Sequence, residues 1–134
     1  MQWELYAKGE GYFARHRPRL PALAFFPMRL LFRIRVAGHS MLPSLAPGDR
    51  LLCLGGFRRR LCTPGAIVVA RAPVPENLVV KRVSKVLADG SFEVEGDNRD
   101  VSRDSRHFGA LSPRDYEGRV LCAYRPWPRL LWHG

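Results

Sequence analysis

The sequence predicts a small, mainly β domain, either a sandwich or a barrel. Short segments rich in Val, Ile and Leu recur along the chain, and Gly, Pro, Asn and Asp bound them. The 134 residues and the hydrophobic content of 46% fit a single domain with a packed core. Helical periodicity is confined to the region near residues 2–16 and to one turn near 41–46.

Two short apolar-rich runs, at 33–36 and 50–54, flank a segment rich in Pro and Gly, and the first is interpreted as a strand that leads into Gly38. Four segments farther along the chain are predicted as strands, at 66–71, 78–86, 91–95 and 119–124. Residues 88–90, Ala-Asp-Gly, predict a hairpin turn between the second and third of these four.

The composition is strongly basic, with 22 Lys and Arg against 12 Asp and Glu and a formal net charge of +10. This balance favours acidic partners, such as nucleic acid, an anionic membrane surface or an acidic protein. Most of the excess is arginine in the first 60 residues. A lysine that acts as a base must be Lys8, Lys81 or Lys85, since these are the three lysines and arginine stays charged.

The cysteine and apolar patterns exclude other classes. Cys53, Cys62 and Cys122 form no C-x-x-C pair, so no zinc or redox motif is predicted. We interpret them as buried thiols of a reducing compartment. The apolar segment 20–32 contains two prolines and an arginine and is too short for a transmembrane span. We interpret it as part of an arm packed on the domain, or as a segment lying on a membrane surface.

A candidate nucleophile, Ser40, follows a predicted strand and precedes a turn limited by Pro43. Gly38 allows close approach of a substrate backbone, and the Ser40 N–H is available to an oxyanion. Serine needs a base to become a nucleophile. His39 is a poor base for its neighbour, because adjacent side chains of an extended chain point to opposite faces. The alternative is that Ser40 is an ordinary turn residue.

A candidate base, Lys81, lies in the predicted strand 78–86. Val79, Lys81 and Val83 share one face of that strand. On an inward face the lysine would be desolvated, which lowers its pKa and lets a neutral amine accept the serine proton. The alternative is an edge-strand lysine that reaches solvent.

A third segment, 96–109, is dense in Gly, Asp, Asn, Ser and Arg. It lacks the spaced acidic residues and the terminal Glu of an EF-hand, so a calcium loop is not predicted. By composition alone, a solvated loop is the alternative.

Together, the three segments resemble the signal peptidase I family of serine endopeptidases, which use a Ser/Lys dyad. The matching boxes lie in order at 38–45 with 47–49, 64–69, 80–83, 96–109 and 118–128. The resemblance implies a small β-barrel catalytic core at 34–128, of the fold shared with LexA-like self-cleaving repressors. A basic and apolar arm at 1–33 precedes it, and a tail at 129–134 follows.

The resemblance also implies roles for individual residues. Ser40 matches the nucleophile, Lys81 the general base, and Ser102 the serine that orients the lysine amine. Residues matching the family's supporting ion pair and loop hydrogen bonds are Asp97, Asp104 and Arg106. Met41 matches a residue of the small substrate pocket. The mechanism needs no cofactor or metal.

Gly38 stands two residues before the nucleophile, where some family members carry a hydroxyl that is a second oxyanion donor. Other departures are Ala66, where the family often has Asp, and the short spacing of 14 residues between Lys81 and Gly96. No convincing membrane anchor precedes Ser40. This short form is most similar to the nickel-type superoxide dismutase maturation proteases, which implies removal of a leader peptide from a precursor protein. We expect a cytoplasmic protein, with peripheral membrane contact through the arm as a further expectation.

Three alternatives remain at this stage. One is a general signal peptidase acting on exported preproteins at the membrane. A self-cleaving repressor is another, but 35 residues before the core are too few for the usual DNA-binding unit. The third is a basic β-barrel that binds nucleic acid. It is disfavoured because aromatic residues do not interleave with basic ones on the predicted strands.

Overall fold

A computed structural model of the chain describes residues 4–8, 11–14, 30–56, 58–73, 78–126 and 128–131. Nine strands lie within these ranges: β1 Glu4–Lys8, β2 Gly11–Ala14, β3 Leu31–Arg35, β4 Arg50–Leu54, β5 Ile67–Arg71, β6 Leu78–Val86, β7 Phe92–Glu95, β8 Tyr116–Arg125 and β9 Arg129–Leu130. The described helices are single turns: α1 Arg58–Leu61, α2 Ser105–Phe108 and a 3₁₀ turn at Pro113–Asp115.

The strands form one sheet that closes on itself. Neighbouring strands follow the order β2-β1-β3-β4-β8-β5-β6-β7, with β9 added to β8. A further pairing of β2 with β6, at Tyr12 and Leu78, joins the two sides and makes a barrel. All pairings are antiparallel except that of β1 with β3. The prediction of a mainly β barrel is therefore confirmed.

The barrel interior is filled by aliphatic side chains from the strands and from the loop between β3 and β4. The most deeply buried of these include Leu45, Leu51, Val68, Val94 and Val120. Each is 0% exposed. Such dense apolar packing is what allows a small domain to hold a polar site in a fixed geometry.

Strand β6 lies between β5 and β7, and this placement positions the site. Its first half pairs with β5, where Lys81 lies opposite Val68. Its second half pairs with β7, where Arg82 lies opposite Glu95. The chain that leaves the end of β7 therefore passes directly beside Lys81 and Arg82.

Most predicted elements are confirmed. The structure has β6 with the predicted bounds, and β5, β7 and β8 overlap their predicted segments. Strand β4 coincides with the apolar run at 50–54. The turn at 88–90 joins β6 to β7. The turn near 41–46 contains one helical hydrogen bond, from the Leu45 N–H to the Met41 carbonyl at 2.9 Å.

The helical periodicity near residues 2–16 was misleading, since β1 and β2 lie there and pair with each other and with β3. Pairing with distant strands overrides a weak local propensity. These strands and the start of β3 lie within the predicted arm, and β9 lies within the predicted tail. Most of the apolar segment 20–32 falls outside the described residues. Among the residues described, no helix has the length and apolar character needed to cross a membrane.

Candidate active site

The loop that carries Ser40 is closed at its base by main-chain hydrogen bonds between β3 and β4. The Val36 N–H donates to the Asp49 carbonyl at 2.9 Å, and the Gly48 N–H donates to the Val36 carbonyl at 2.7 Å. Gly48 has a φ of +93°, which glycine adopts without strain. Ser40 lies in the turn of this loop and is 9% exposed. The loop therefore holds the largely buried serine in a fixed position.

Lys81 is buried in the interior face of β6. It is 1% exposed and shares that face with Val79 and Val83, which are equally buried. Its Nζ donates a hydrogen bond to the Ser102 Oγ at 2.9 Å. The predicted inward face is thus observed, and the amine is held by the predicted serine.

The direction of this hydrogen bond follows from Asp104. The Ser102 Oγ donates to the Asp104 Oδ2 at 2.8 Å, because an ionised carboxylate only accepts. Burial alone would raise the pKa of Asp104, but hydrogen bonds from Arg106, the Gly96 N–H and Ser102 outweigh it and lower the pKa to about 2. The Ser102 proton is therefore committed to Asp104, and its oxygen accepts from Lys81.

Asp104 is held in turn by Arg106 and by the turn of α2. The Arg106 Nε donates to Oδ1 at 2.9 Å, and the Arg106 Nη2 donates to Oδ2 at 3.1 Å. The Arg106 N–H also donates to Oδ1, so that Asp104 caps α2. The Arg106 Nη2 also donates to the Arg99 carbonyl at 2.8 Å, which ties the loop that follows β7 to the same ion pair.

Asp97 belongs to a separate ion pair that the sequence analysis did not assign. The Arg82 Nε and Nη2 donate to its two carboxylate oxygens at 2.9 and 2.8 Å, and the Ser44 Oγ donates to Oδ2 at 2.5 Å. Burial would raise the pKa of Asp97, but the hydrogen bonds from Arg82 and Ser44 lower it. Arg82 lies next to Lys81 within the matching segment 80–83, and this position was the signal in the sequence that could have indicated it. No residue near Ser44 in the sequence indicated that its partner, Asp97, lies 53 residues away.

Residues 96–98 link the lysine strand to the serine loop. A Cβ on Gly96 would lie 2.2 Å from the Ser102 Oγ and 2.6 Å from the Ser40 carbonyl oxygen. Beyond it, the Asn98 N–H donates to that carbonyl at 2.9 Å, and the Asn98 Nδ2 donates to the His39 carbonyl at 3.1 Å. The structure thus brings Ser40, Ser102 and, through Ser102, Lys81 around one glycine.

The other predicted residues around the nucleophile, Gly38 and Met41, lie in the same loop as Ser40. Within the described part of the chain, the Ser40 hydroxyl makes no hydrogen bond to Lys81. Such contacts are commonly loose without substrate and tighten in the complex. Gly38 is buried beside Ser40. Met41 is 1% exposed and packs in the core, so its role in a substrate pocket stays a prediction.

The remaining chemistry of the site is limited. His39 is exposed. No group of three or more His, Cys, Asp or Glu residues that could hold a metal ion occurs among the described residues. The groups that the site does offer are a hydroxyl, a buried amine and the Ser40 main-chain N–H, which has no acceptor among the described residues.

Comparison with known proteins shows the family of the chain. Residues 8–108 match the family described as Peptidase S24-like. The chain is also similar to the mitochondrial ATP-independent inner membrane protease subunit 1b of Arabidopsis thaliana. The two are 34% identical over 115 residues, which cover 68% of this chain and 67% of the relative. The chain therefore belongs to the S24/S26-like serine peptidases.

Proposed function

We propose that the protein is an endopeptidase in which Ser40 is the nucleophile and Lys81 the general base, and that it removes an N-terminal leader from a precursor protein. The observation that carries this proposal is the buried Lys81 amine, held by Ser102 beside the loop of Ser40. Burial disfavours the charged ammonium form, and a neutral amine has a lone pair that can accept a proton.

Acylation follows from the hydrogen-bond directions. The Lys81 amine donates one N–H to Ser102, and in its neutral form it accepts the Ser40 proton on its lone pair. The Ser40 Oγ forms a bond to the scissile carbonyl carbon, and the carbonyl oxygen becomes an oxyanion. When the C–N bond breaks, the proton on Lys81 passes to the departing amine. The product is the mature protein, and the leader stays on Ser40 as an ester.

Deacylation uses the same base. Water loses a proton to Lys81 and attacks the ester carbonyl, and that proton then returns to the Ser40 oxygen as the C–O bond to the leader breaks. The leader departs as a carboxylic acid, which releases its remaining proton to solvent. In both steps the oxyanion is stabilised by the Ser40 N–H, which meets no acceptor within the described part of the chain. The Ser102–Asp104–Arg106 chain takes no proton in this cycle and keeps the amine in one orientation.

The dyad is tested by substitution at both members. We expect Ser40→Ala and Lys81→Met to abolish release of a leader from a co-expressed precursor, read as the N-terminal mass of the product. Lys85→Met is the matched control, because Lys85 lies on the same strand but is exposed, and we expect full activity from it. Normal processing by folded Ser40→Ala protein would refute the proposal.

The substrate that we propose first is the proenzyme of a nickel-type superoxide dismutase. Its support is the short spacing between Lys81 and Gly96 and the compact β6–β7 hairpin that fills it. Cleavage would then take place in the cytoplasm and would expose a new N-terminus. Co-expression with such a proenzyme, followed by N-terminal mass analysis, gives a direct answer.

A second candidate is general processing of exported preproteins at a membrane. The similarity to a protease subunit named for a mitochondrial inner membrane favours it. Membrane fractionation and processing of a secretory precursor distinguish the two. Cleavage of the secretory precursor with no cleavage of the dismutase proenzyme would select this second candidate.

A further inference from the structure

Asn98 contacts the carbonyl groups on both sides of the candidate nucleophile. Its main-chain N–H donates to the Ser40 carbonyl at 2.9 Å, and its side-chain Nδ2 donates to the His39 carbonyl at 3.1 Å. The side-chain atom must be the amide nitrogen, because a carbonyl oxygen only accepts. One residue, 59 positions away from His39, thus holds both peptide groups that include Ser40 atoms.

The His39 carbonyl and the Ser40 N–H belong to the same peptide group. The cis peptide bonds of the described residues are at Leu42–Pro43 and Arg125–Pro126, so this peptide is trans. In a planar trans peptide, the C=O and the N–H point in opposite directions. The His39 carbonyl accepts from the Asn98 Nδ2 and also, within the turn, from the Leu42 N–H at 3.2 Å. Together these hydrogen bonds fix the carbonyl and, with it, the N–H on the opposite side.

We propose that the Asn98 side chain is a positioning residue that keeps the Ser40 N–H turned toward the oxyanion. The inference rests on the proposed function, since an oxyanion forms only if Ser40 attacks a carbonyl. Gly38 has no hydroxyl to serve as a second donor, which increases the weight that falls on this N–H. If the peptide rotated, the carbonyl oxygen would face the developing negative charge and oppose it.

The same hydrogen bond strengthens the donor that it orients. Accepting a hydrogen bond polarises the His39 carbonyl, and resonance across the peptide makes its N–H more positive. This effect acts on the transition state, where the oxyanion carries the charge, more than on the bound substrate. Loss of the side-chain bond therefore lowers kcat and leaves KM nearly unchanged.

The rest of residues 96–98 stays anchored without the Asn98 side chain. The main-chain bond to the Ser40 carbonyl and the Asp97 ion pair with Arg82 do not involve the amide group. A substitution of the Asn98 side chain should therefore change the orientation of the His39–Ser40 peptide while residues 96–98 stay ordered. A purely structural residue would instead change stability, KM and kcat together.

The test compares Asn98→Ala and Asn98→Asp with wild type on a purified precursor. We expect kcat to fall about 10- to 100-fold in both variants, somewhat less than removal of an oxyanion donor itself causes, with KM within about twofold. Asn98→Asp nearly preserves shape but carries no donor when ionised, so it matches Asn98→Ala. Asp100→Asn, in the same turn and exposed, is the control and keeps wild-type kinetics.

A substrate-free measurement accompanies the kinetics. The backbone amide of Ser40 and the carbonyl carbon of His39 are followed by NMR in each folded variant. We expect both resonances to move in Asn98→Ala and to stay in place in Asp100→Asn, while most of the spectrum is unchanged. Unmoved Ser40 and His39 resonances in Asn98→Ala would overturn the inference without any assay of cleavage.

The outcomes separate the two proposals. Wild-type cleavage by Ser40→Ala protein removes the proposed function, and the role of Asn98 falls with it. Cleavage that requires Ser40 but runs at the wild-type kcat in Asn98→Ala overturns the role of Asn98 alone. An increase in KM that accounts for the loss of kcat/KM, or widespread NMR changes, assigns Asn98 a structural role and also overturns the inference.

Discussion

At the scale of single residues, the site is ordered by the ionised carboxylate of Asp104, which can only accept hydrogen bonds. Asp104 receives hydrogen bonds from the Gly96 N–H, from Ser102 and from Arg106. Because the Ser102 proton points to Asp104, the Ser102 oxygen must face the Lys81 amine as an acceptor. The polarity of the chain thus runs from Lys81 toward Asp104, with the lysine amine as the donor to Ser102.

Replacing Ser102 tests this orientation. We expect Ser102→Ala to lower kcat about tenfold or more, since the loss of one buried hydrogen bond of about 1 kcal/mol corresponds to about fivefold, and the amine also gains freedom to turn. The measurement is the steady-state rate of precursor cleavage. Ser84→Ala, on the exposed end of β6, is the control and retains activity. A Ser102→Ala enzyme with unchanged kcat would contradict the assignment.

Asp104 also links stability to pH. Its pKa is lowered to about 2 from an ordinary value near 3.8. A carboxyl with a depressed folded-state pKa stabilises the fold above the unfolded-state pKa, and this stability is lost as pH falls through the folded-state pKa. The shift corresponds to about 2 kcal/mol, present at neutral pH and lost between about pH 4 and pH 2.

We therefore expect Asp104→Asn to unfold at a lower urea concentration than wild type at pH 7, with a free energy of unfolding lower by at least about 2 kcal/mol. Between pH 4 and 2, the stability of this variant should fall less than that of wild type. Urea titrations at several pH values give both quantities. Asp100→Asn, which is exposed, serves as the comparison. Equal pH dependence of wild type and Asp104→Asn would contradict the assigned pKa.

At the scale of elements, the segment that follows β7 can approach the loop of Ser40 closely because residue 96 is a glycine and has no side chain. A Cβ on Gly96 would collide with Ser102 and with the Ser40 carbonyl, and one on Gly118 of β8 would collide with Phe32 at 2.7 Å. Alanine at either position overpacks its surroundings, which lowers the free energy of unfolding by roughly 1–3 kcal/mol. Alanine substitutions at Gly96 and Gly118 can therefore be compared directly.

We expect Gly96→Ala and Gly118→Ala to lower stability by similar amounts but to differ in activity. Gly96→Ala displaces Ser102, the partner of Lys81, and the Ser40 carbonyl, so under the proposed mechanism the folded fraction loses most of its cleavage rate. Gly118→Ala displaces Phe32, which has no part in the site, so its folded fraction keeps the wild-type kcat. Thermal melts and rates corrected for folded fraction provide the comparison, and equal kcat losses would refute the distinction.

The elements also show how far the sequence could predict the fold. Strand β6 was predicted with its bounds because its run of Val and Leu is local information. Strands β1 and β2 were not, because their stability comes from pairing with β3 and β6, whose partner residues lie tens of positions away. The closing pair of Tyr12 and Leu78 leaves no local signal in the sequence.

At the scale of the whole molecule, the same division holds for the site. The motifs indicated Lys81 and Ser102, which the structure joins by a hydrogen bond, and Asp104 with Arg106, which it joins as an ion pair. The partner of Asp97 was not assigned, because the bond to Arg82 arises only when β6 and β7 pair. Motifs carry the identity of functional residues, whereas the fold decides their partners.

The buried thiols provide a test of the whole fold together with the reaction class. Burial raises the pKa of Cys62 to about 11, and burial, with a smaller effect of Cys122, raises that of Cys53. Iodoacetamide reacts with the thiolate, and at pH 8 only about 0.1% of Cys62 is in that form if its pKa is about 11. We therefore expect neither Cys53 nor Cys62 to be alkylated in the folded protein and cleavage activity to persist.

Alkylation of these two thiols then requires opening of the barrel. Cys53 is 0% exposed in β4, between β3 and β8, so its modification reports global unfolding rather than local motion. Peptide mass spectrometry after iodoacetamide treatment in increasing urea should show Cys53 and Cys62 reacting together at the unfolding midpoint. Rapid alkylation of Cys62 in native buffer, with parallel loss of activity, would instead indicate a reactive thiol and contradict both the burial and a serine-based mechanism.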